Sequence, residues 1–145
     1  MPAPTVLFHL AFPVHDLRSA RRFYVQGLGC RPGRASDRSL ILNLRGHQIV
    51  AQHAEEGRSR QKGIYPRHFG LVFRTRKDWE GLARRAAKKR LKFYQKPRVR
   101  YEGTPIEHRT FLLEDPSGNL LEFKHYSKSS AIFGQKSYKK VGDRR

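Results

Sequence analysis

The sequence predicts an α+β chain built as two tandem βαβββ modules, and three observations carry that reading. A stretch of strand period at 5–14 is followed by one of helix period and then by three more strand-like stretches, and the same order restarts at Arg67. Each copy opens on a strand that sets a histidine against large apolar residues. His9 opposes Phe8, Leu10 and Phe12, and His68 opposes Phe69, Leu71 and Phe73, because side chains alternate along a strand. The second copy closes on two apolar runs around Asp115-Pro116-Ser117-Gly118, where Pro suits the second position of a tight turn and Gly the fourth.

Each element has its own local reason. Asp16 is a good N-cap for a helix running to about Gly27, with Leu17, Ala20, Tyr24 and Leu28 as its stripe, Phe23 beside it, and Gly27 and Gly29 as the stop. Residues 30–34 suit a short edge strand. Ser39 to Leu44 and Gly46 to His53 form a hairpin turning at Arg45-Gly46. From Ala54 to Pro66 the composition shifts to Glu, Gly, Arg, Ser, Gln and Lys, an exposed linker in which Glu55-Glu56 is a solvated patch. A helix from about Lys77 to Arg90 buries Leu82, Ala83 and Ala86, with Trp79 as its core anchor. Strands at about 92–101 and 108–114 precede the closing hairpin. The modules therefore span about 5–56 and 64–126 of one domain, and 127–145 is a basic tail with little to bury, expected to be mobile.

Composition limits the functions. With 145 residues the chain can close one real core. The formal net charge of +19 points to nucleic acid, an anionic membrane surface or an anionic ligand, or to nothing specific. Lys and Arg occur along helices, linker and tail without the aromatic interleaving of a single-strand platform, so a solvated basic surface is favoured over a nucleic-acid partner. No run spans a bilayer and no signal peptide opens the chain, which leads to the expectation of a soluble, cytoplasmic protein without a membrane partner. Cys30 is the only cysteine, so a disulfide framework and a cysteine metal cluster are excluded.

In each module the helix must cover the apolar face, which leaves His9, His68 and Glu122 on the opposite, concave faces. Glu122 is a lone acid in the middle of an apolar strand and needs a partner. The bland reading is two core histidines and a structural carboxylate.

The stretches His9-x-Ala-x-Pro-Val-x-Asp-Leu with Phe23-Tyr24 and Leu28-Gly29, His68-Phe-Gly-Leu-Val-Phe, and Asp115-Pro-Ser-Gly-Asn-Leu-Leu-Glu-Phe resemble the vicinal oxygen chelate superfamily. That superfamily includes glyoxalase I, bleomycin-resistance proteins and extradiol dioxygenases, and within it the chain looks most like predicted extradiol-type dioxygenases. The resemblance implies a cup-shaped mixed sheet with helices outside and one divalent metal held by His9, His68 and Glu122. Two imidazoles and a carboxylate with open positions are also the arrangement used by non-haem Fe(II) oxygenases. The implied enzyme is an Fe(II)-dependent dioxygenase that uses O2 on a small catecholic or vicinal-diol substrate; Zn, Ni or Mn are alternative metals, and a homodimer is compatible.

Other roles follow from the same resemblance. His53 precedes His68 at a spacing similar to that of the acid-base histidine of ring-cleaving enzymes, although its parity places it on the helix side. A fourth ligand, as in glyoxalase I, would fall at Val50, which cannot coordinate; Gln48 and Gln52 share its face. Leu112 stands where ring-cleaving enzymes have a tyrosine, so Tyr101, His108 or Tyr126 would substitute. Arg98, Arg100 and Lys124 are candidates for binding a substrate carboxylate. His15, His47 and His125 match no ligand position. The alternative readings are a glyoxalase-type lyase or isomerase, a ligand-sequestering resistance-type protein and a basic accessory protein that contacts RNA or DNA.

Overall fold

The computed structural model describes residues 5–55 and 61–141. Glu56 of the linker patch and Arg144 and Arg145 of the tail lie outside the described residues. The first module runs β1 (His9–Val14), α1 (Leu17–Arg21), a π-helical turn (Arg22–Gly27), β2 (Arg31–Ala35), β3 (Ser39–Leu44) and β4 (His47–His53). The second runs β5 (Phe69–Val72), α2 (Arg76–Lys88), β6 (Lys92–Arg100), β7 (His108–Glu114) and β8 (Leu120–Tyr126), and a 3-10 turn (Ser129–Ala131) follows. Each module closes its own four-stranded mixed sheet, ordered β1-β4-β3-β2 and β5-β8-β7-β6. The tandem βαβββ reading is therefore borne out, and in each sheet the first and last strands lie side by side and parallel.

Local chemistry accounts for the elements. The Asp16 carboxylate accepts from the Ser19 N–H at the start of α1, and the Thr75 hydroxyl does the same for Asp78 at the start of α2. The hairpin turn at Arg45 and Gly46 uses positive φ at both positions, the twist that suits a two-residue connection. The first helix departs from expectation by widening after Arg21, with the Leu28 N–H bonding the Phe23 carbonyl at 2.8 Å. A π turn lets the adjacent Phe23 and Tyr24 both face inward, which a 3.6-residue period does less well.

The helix-facing sides of both sheets share one core, in which Phe12, Tyr24, Leu42 and Ile49 join Trp79, Phe111, Leu121 and Phe123. The Phe12 and Phe69 rings meet at 5.2 Å across the module boundary. Asp115 fixes that boundary. Its buried carboxylate accepts from the Tyr24 hydroxyl at 2.7 Å, from the N–H groups of Ser117 and Asn119, and from the Asn119 amide. The same Asn119 amide donates to the Pro13 carbonyl, and Ser117 meets the His15 ring, so the closing turn ties the second module to the first. Burial, with the Asp115 carboxylate beside it, raises the Tyr24 phenol well above its ordinary pKa.

Candidate metal centre

The concave face of the second sheet brings His68 and Glu122 together. His68 stands just before β5, and Glu122 lies on β8 opposite Gly70 in the parallel register. A side chain at position 70 could not be accommodated there, because its Cβ would stand 1.6 Å from the Glu122 carbonyl oxygen. Glycine therefore sets the distance between the strands that carry the pair. His68 Nε2 lies 3.1 Å from Glu122 Oε1, and the other carboxylate oxygen accepts from the Thr110 hydroxyl at 2.6 Å. His68 Nδ1 is 2.6 Å from the Ile64 carbonyl, which can only accept, so that nitrogen carries the proton. Nε2 is then the nitrogen left to face the carboxylate or an ion.

Electrostatics agree with the geometry. The hydrogen bond to Glu122 raises the His68 pKa above its ordinary value against the opposing effect of burial. For Glu122 burial pushes upward, but the hydrogen bonds from His68 and Thr110 and the charge of Lys124 leave it below the usual carboxylate range. Lys124 Nζ is 3.9 Å from Glu122 Oε1 and donates to the Tyr126 hydroxyl. The cleft around the pair, about 110 Å³, is lined by Gln95, Arg98, Arg100, His108, Thr110 and Lys124. Burial depresses the pKa of His108, which favours the neutral ring.

The remaining expected site residues are distributed differently. His9 lies on the exposed face of β1, its Nδ1 2.7 Å from Gln48 Oε1, with Nε2 left for another partner. Among the described residues no three His, Cys, Asp or Glu side chains are close enough to hold an ion, so one chain gathers two of the three expected ligands. Gln52 is engaged on the first sheet, accepting from the Ser39 hydroxyl and donating to the Arg38 carbonyl. His53 closes β4, five residues beyond the Gln48 that His9 touches, which is roughly 16 Å along a strand. It does not line the cleft. Arg100 does line it and stacks its guanidinium over Tyr101, whose own side chain borders an adjoining chamber of about 210 Å³. Leu112 is fully buried. The tail passes beside this region, with Val141 on the rim of the cleft and Lys140 over the Tyr101 ring.

Thr110 and Ile64 were not singled out by sequence reasoning. Thr110 was within reach, since it shares the inward parity of His108 and Leu112 on β7, opposite β8. The Ile64 carbonyl carries no side-chain signal.

The family model described as "Glyoxalase/Bleomycin resistance protein/Dioxygenase superfamily" matches residues 6–123. No curated protein matches the chain. Among solved structures, a glyoxalase/bleomycin resistance protein/dioxygenase from Alicyclobacillus acidocaldarius is 40% identical, with a TM-score of 0.86 over 92% of this chain and 100% of that one. The fosfomycin resistance proteins FosX from Listeria monocytogenes and from Mesorhizobium loti share the fold. They are 16% and 18% identical, with TM-scores of 0.67 and 0.62, over 89% and 90% of this chain and 99% of each of theirs. The pairing of two βαβββ modules and the length of the family match lead to one conclusion: the chain belongs to the glyoxalase/bleomycin resistance protein/dioxygenase superfamily.

Proposed function

We propose that this chain is the protomer of a divalent-metal enzyme in which His68 and Glu122 of one copy and His9 of a second copy hold the ion, and that its substrate is a small anion with adjacent oxygens. The observation that carries this reading is the His68–Glu122 pair at 3.1 Å in a cleft whose other polar walls include Arg98, Arg100 and Lys124. Two donors from one chain leave the set one short, and His9 supports the completion. It sits on an edge strand, with its face turned to solvent and Leu7 and Phe8 beside it 56% and 60% exposed. On the second module β5 is likewise an edge strand, with Val72 exposed.

Bound there, a divalent ion would act as a Lewis acid on the substrate oxygens, and Fe(II) would add oxygen chemistry. The chain's own residues do the rest. Thr110 holds the carboxylate in place, Ile64 fixes the tautomer of His68, and Arg98, Arg100 and Lys124 draw an oxyanion into the cleft. His108, neutral and on the wall, is placed to take or return a proton where His53 is not. Oxidative opening of a catecholate bearing an acidic group is the reaction we place first, with Zn, Ni or Mn as the alternatives to Fe(II). Leu112 favours a second form, redox-neutral chemistry on a small anionic electrophile, because a buried leucine stands where the ring-cleaving pattern has a tyrosine.

Complementation tests the reading. The His9→Ala and Glu122→Gln variants should each lose ion binding in a Mn(II) titration, and refolding them together should restore part of it, since a mixed pair has one intact site. Failure to recover on mixing, with each variant alone folded, would overturn shared ligation. Loading with Fe(II) under nitrogen and then admitting oxygen to a panel of carboxylated catechols decides the chemistry: ring-opened product supports the oxidative form, and turnover without oxygen supports the redox-neutral one.

A further inference from the structure

The largest groove of the molecule, about 650 Å³, is remote in the fold from the metal pair and lies at the seam between the modules. One wall is the π turn of the first module, with Arg22 and Gln26; the other is the turn after α2, with Lys89, Arg90 and Lys92; Glu114 and Asp115 lie on its floor. The two acids are already consumed. Glu114 takes the Lys92 ammonium at 3.0 Å, and Asp115 is buried among the four donors described above. Arg22, Lys89 and Arg90 are exposed, and among the described residues their side chains make no hydrogen bond or ion pair. Arg85 bonds the Gly27 and Gln26 carbonyls at 2.8 and 3.0 Å, which fixes the two walls against each other. The groove is thus a rigid concavity with three unengaged cations on its rim.

The backbone adds a second observation. Lys88 and Lys89 would be expected at the end of any helix, where cations complement the dipole. Arg90 would not. It occupies the left-handed position just past α2, φ 58°, and completes a Schellman closure in which the Leu91 N–H bonds the Ala86 carbonyl and the Arg90 N–H the Ala87 carbonyl. Glycine or asparagine suits that position; arginine is strained there and gains no contact within the chain. A strained residue whose side chain has no internal partner points to a ligand.

We propose that this groove binds chained phosphates of the kind presented by a nucleic-acid backbone, with Arg22, Lys89 and Arg90 as the phosphate contacts. Guanidinium groups fork onto phosphate oxygens, and a chain of net charge +19 raises the local concentration of any polyanion. Phe23, the ring nearest the groove, is buried, so no aromatic platform for stacking bases is present and the contacts read charge rather than sequence.

The test is fluorescence anisotropy of the full chain with a labelled 20-nucleotide RNA, with ATP as competitor, across a salt series. Two triple charge reversals are compared, Arg22→Glu with Lys89→Glu and Arg90→Glu in the groove, and Arg31→Glu with Arg34→Glu and Arg74→Glu elsewhere on the surface. They change net charge equally. The groove variant is expected to lose at least tenfold more affinity than the other and to lower the salt slope by about 2, since each phosphate contributes about 0.7 on a single strand. Competition by micromolar ATP would assign the groove to free nucleotides, and its absence to the nucleic-acid backbone. Arg90→Gly separates binding from folding: it should weaken RNA severalfold while the melting temperature holds or rises. Equal losses in the two triple variants, unchanged affinity in Arg90→Gly, or binding to anionic phospholipid vesicles but not to RNA would each overturn the proposal.

Discussion

Gly70→Ala should abolish ion binding although position 70 carries no ligand. The new Cβ would lie 1.6 Å from the Glu122 carbonyl oxygen, 2.6 Å from its carbon and 2.9 Å from its nitrogen, all backbone atoms that cannot rotate away. Ordinary contact begins near 3.4 Å, so β5 must retreat from β8 by about 1.8 Å. His68 rides on β5 and Glu122 on β8, and a retreat of that size would widen their 3.1 Å contact to about 5 Å. Two ligands of one ion, each about 2.0–2.2 Å from it, do not reach across that gap without further movement. Overpacking of this kind costs about 3 kcal/mol, which in a chain of this size lowers the melting temperature by about 10 °C. Calorimetric titration with Mn(II) and a thermal scan check both parts, and wild-type affinity in a folded Gly70→Ala protein would refute the reasoning.

Three further outcomes are expected. Ion affinity should rise with pH through the raised His68 pKa, because the proton on Nε2 competes with the ion; a flat profile from pH 6 to 8 would count against His68 as a ligand. In the metal-free protein the same pair works the other way: the His68 contribution is full below about 6.5 and lost as pH rises through its raised folded value, while that of Glu122 is present above about 4.5 and lost as pH falls through its lowered one. Thermal scans should therefore show the pair at its most stabilising between those limits. Asp115→Ala should cost about 3 kcal/mol by leaving the buried Tyr24 hydroxyl without its acceptor, and Tyr24→Phe only about 1 kcal/mol, as denaturant titration would show. Truncation after Ser127 should move the melting temperature by a few degrees at most, since no residue from 127 to 141 is buried, yet it should change ligand affinity by removing the rim at Val141.

The elements were legible where local chemistry decides them. Asp16, Thr75, Arg45-Gly46 and Asp115-Pro116-Ser117-Gly118 carry their caps and turns in the side chains themselves, and the alternation of His9, His68 and Glu122 against apolar neighbours told which face each takes. The pairing of first with last strands followed from the repeat. What could not be read was anything set by backbone alone or by packing at a distance. The Ile64 carbonyl that orients His68, the π turn that buries both Phe23 and Tyr24, and the route of the tail past Tyr101 have no residue signature. Parity placed the three candidate ligands on concave faces but not on the same one, because each module closes its own sheet and the two meet through their helix sides.

That separation has a thermodynamic consequence. If a third ligand comes from another copy, ion occupancy and self-association are linked functions: whatever binds the joined form but not the free chain shifts the association constant by the same factor by which association shifts ion affinity. Dilution would then act as a chelator and the ion as a glue. The exposed Leu7 and Phe8 next to His9 set how strongly the chains hold without it, and so how far the protein's supply of metal governs the fraction that exists as a pair.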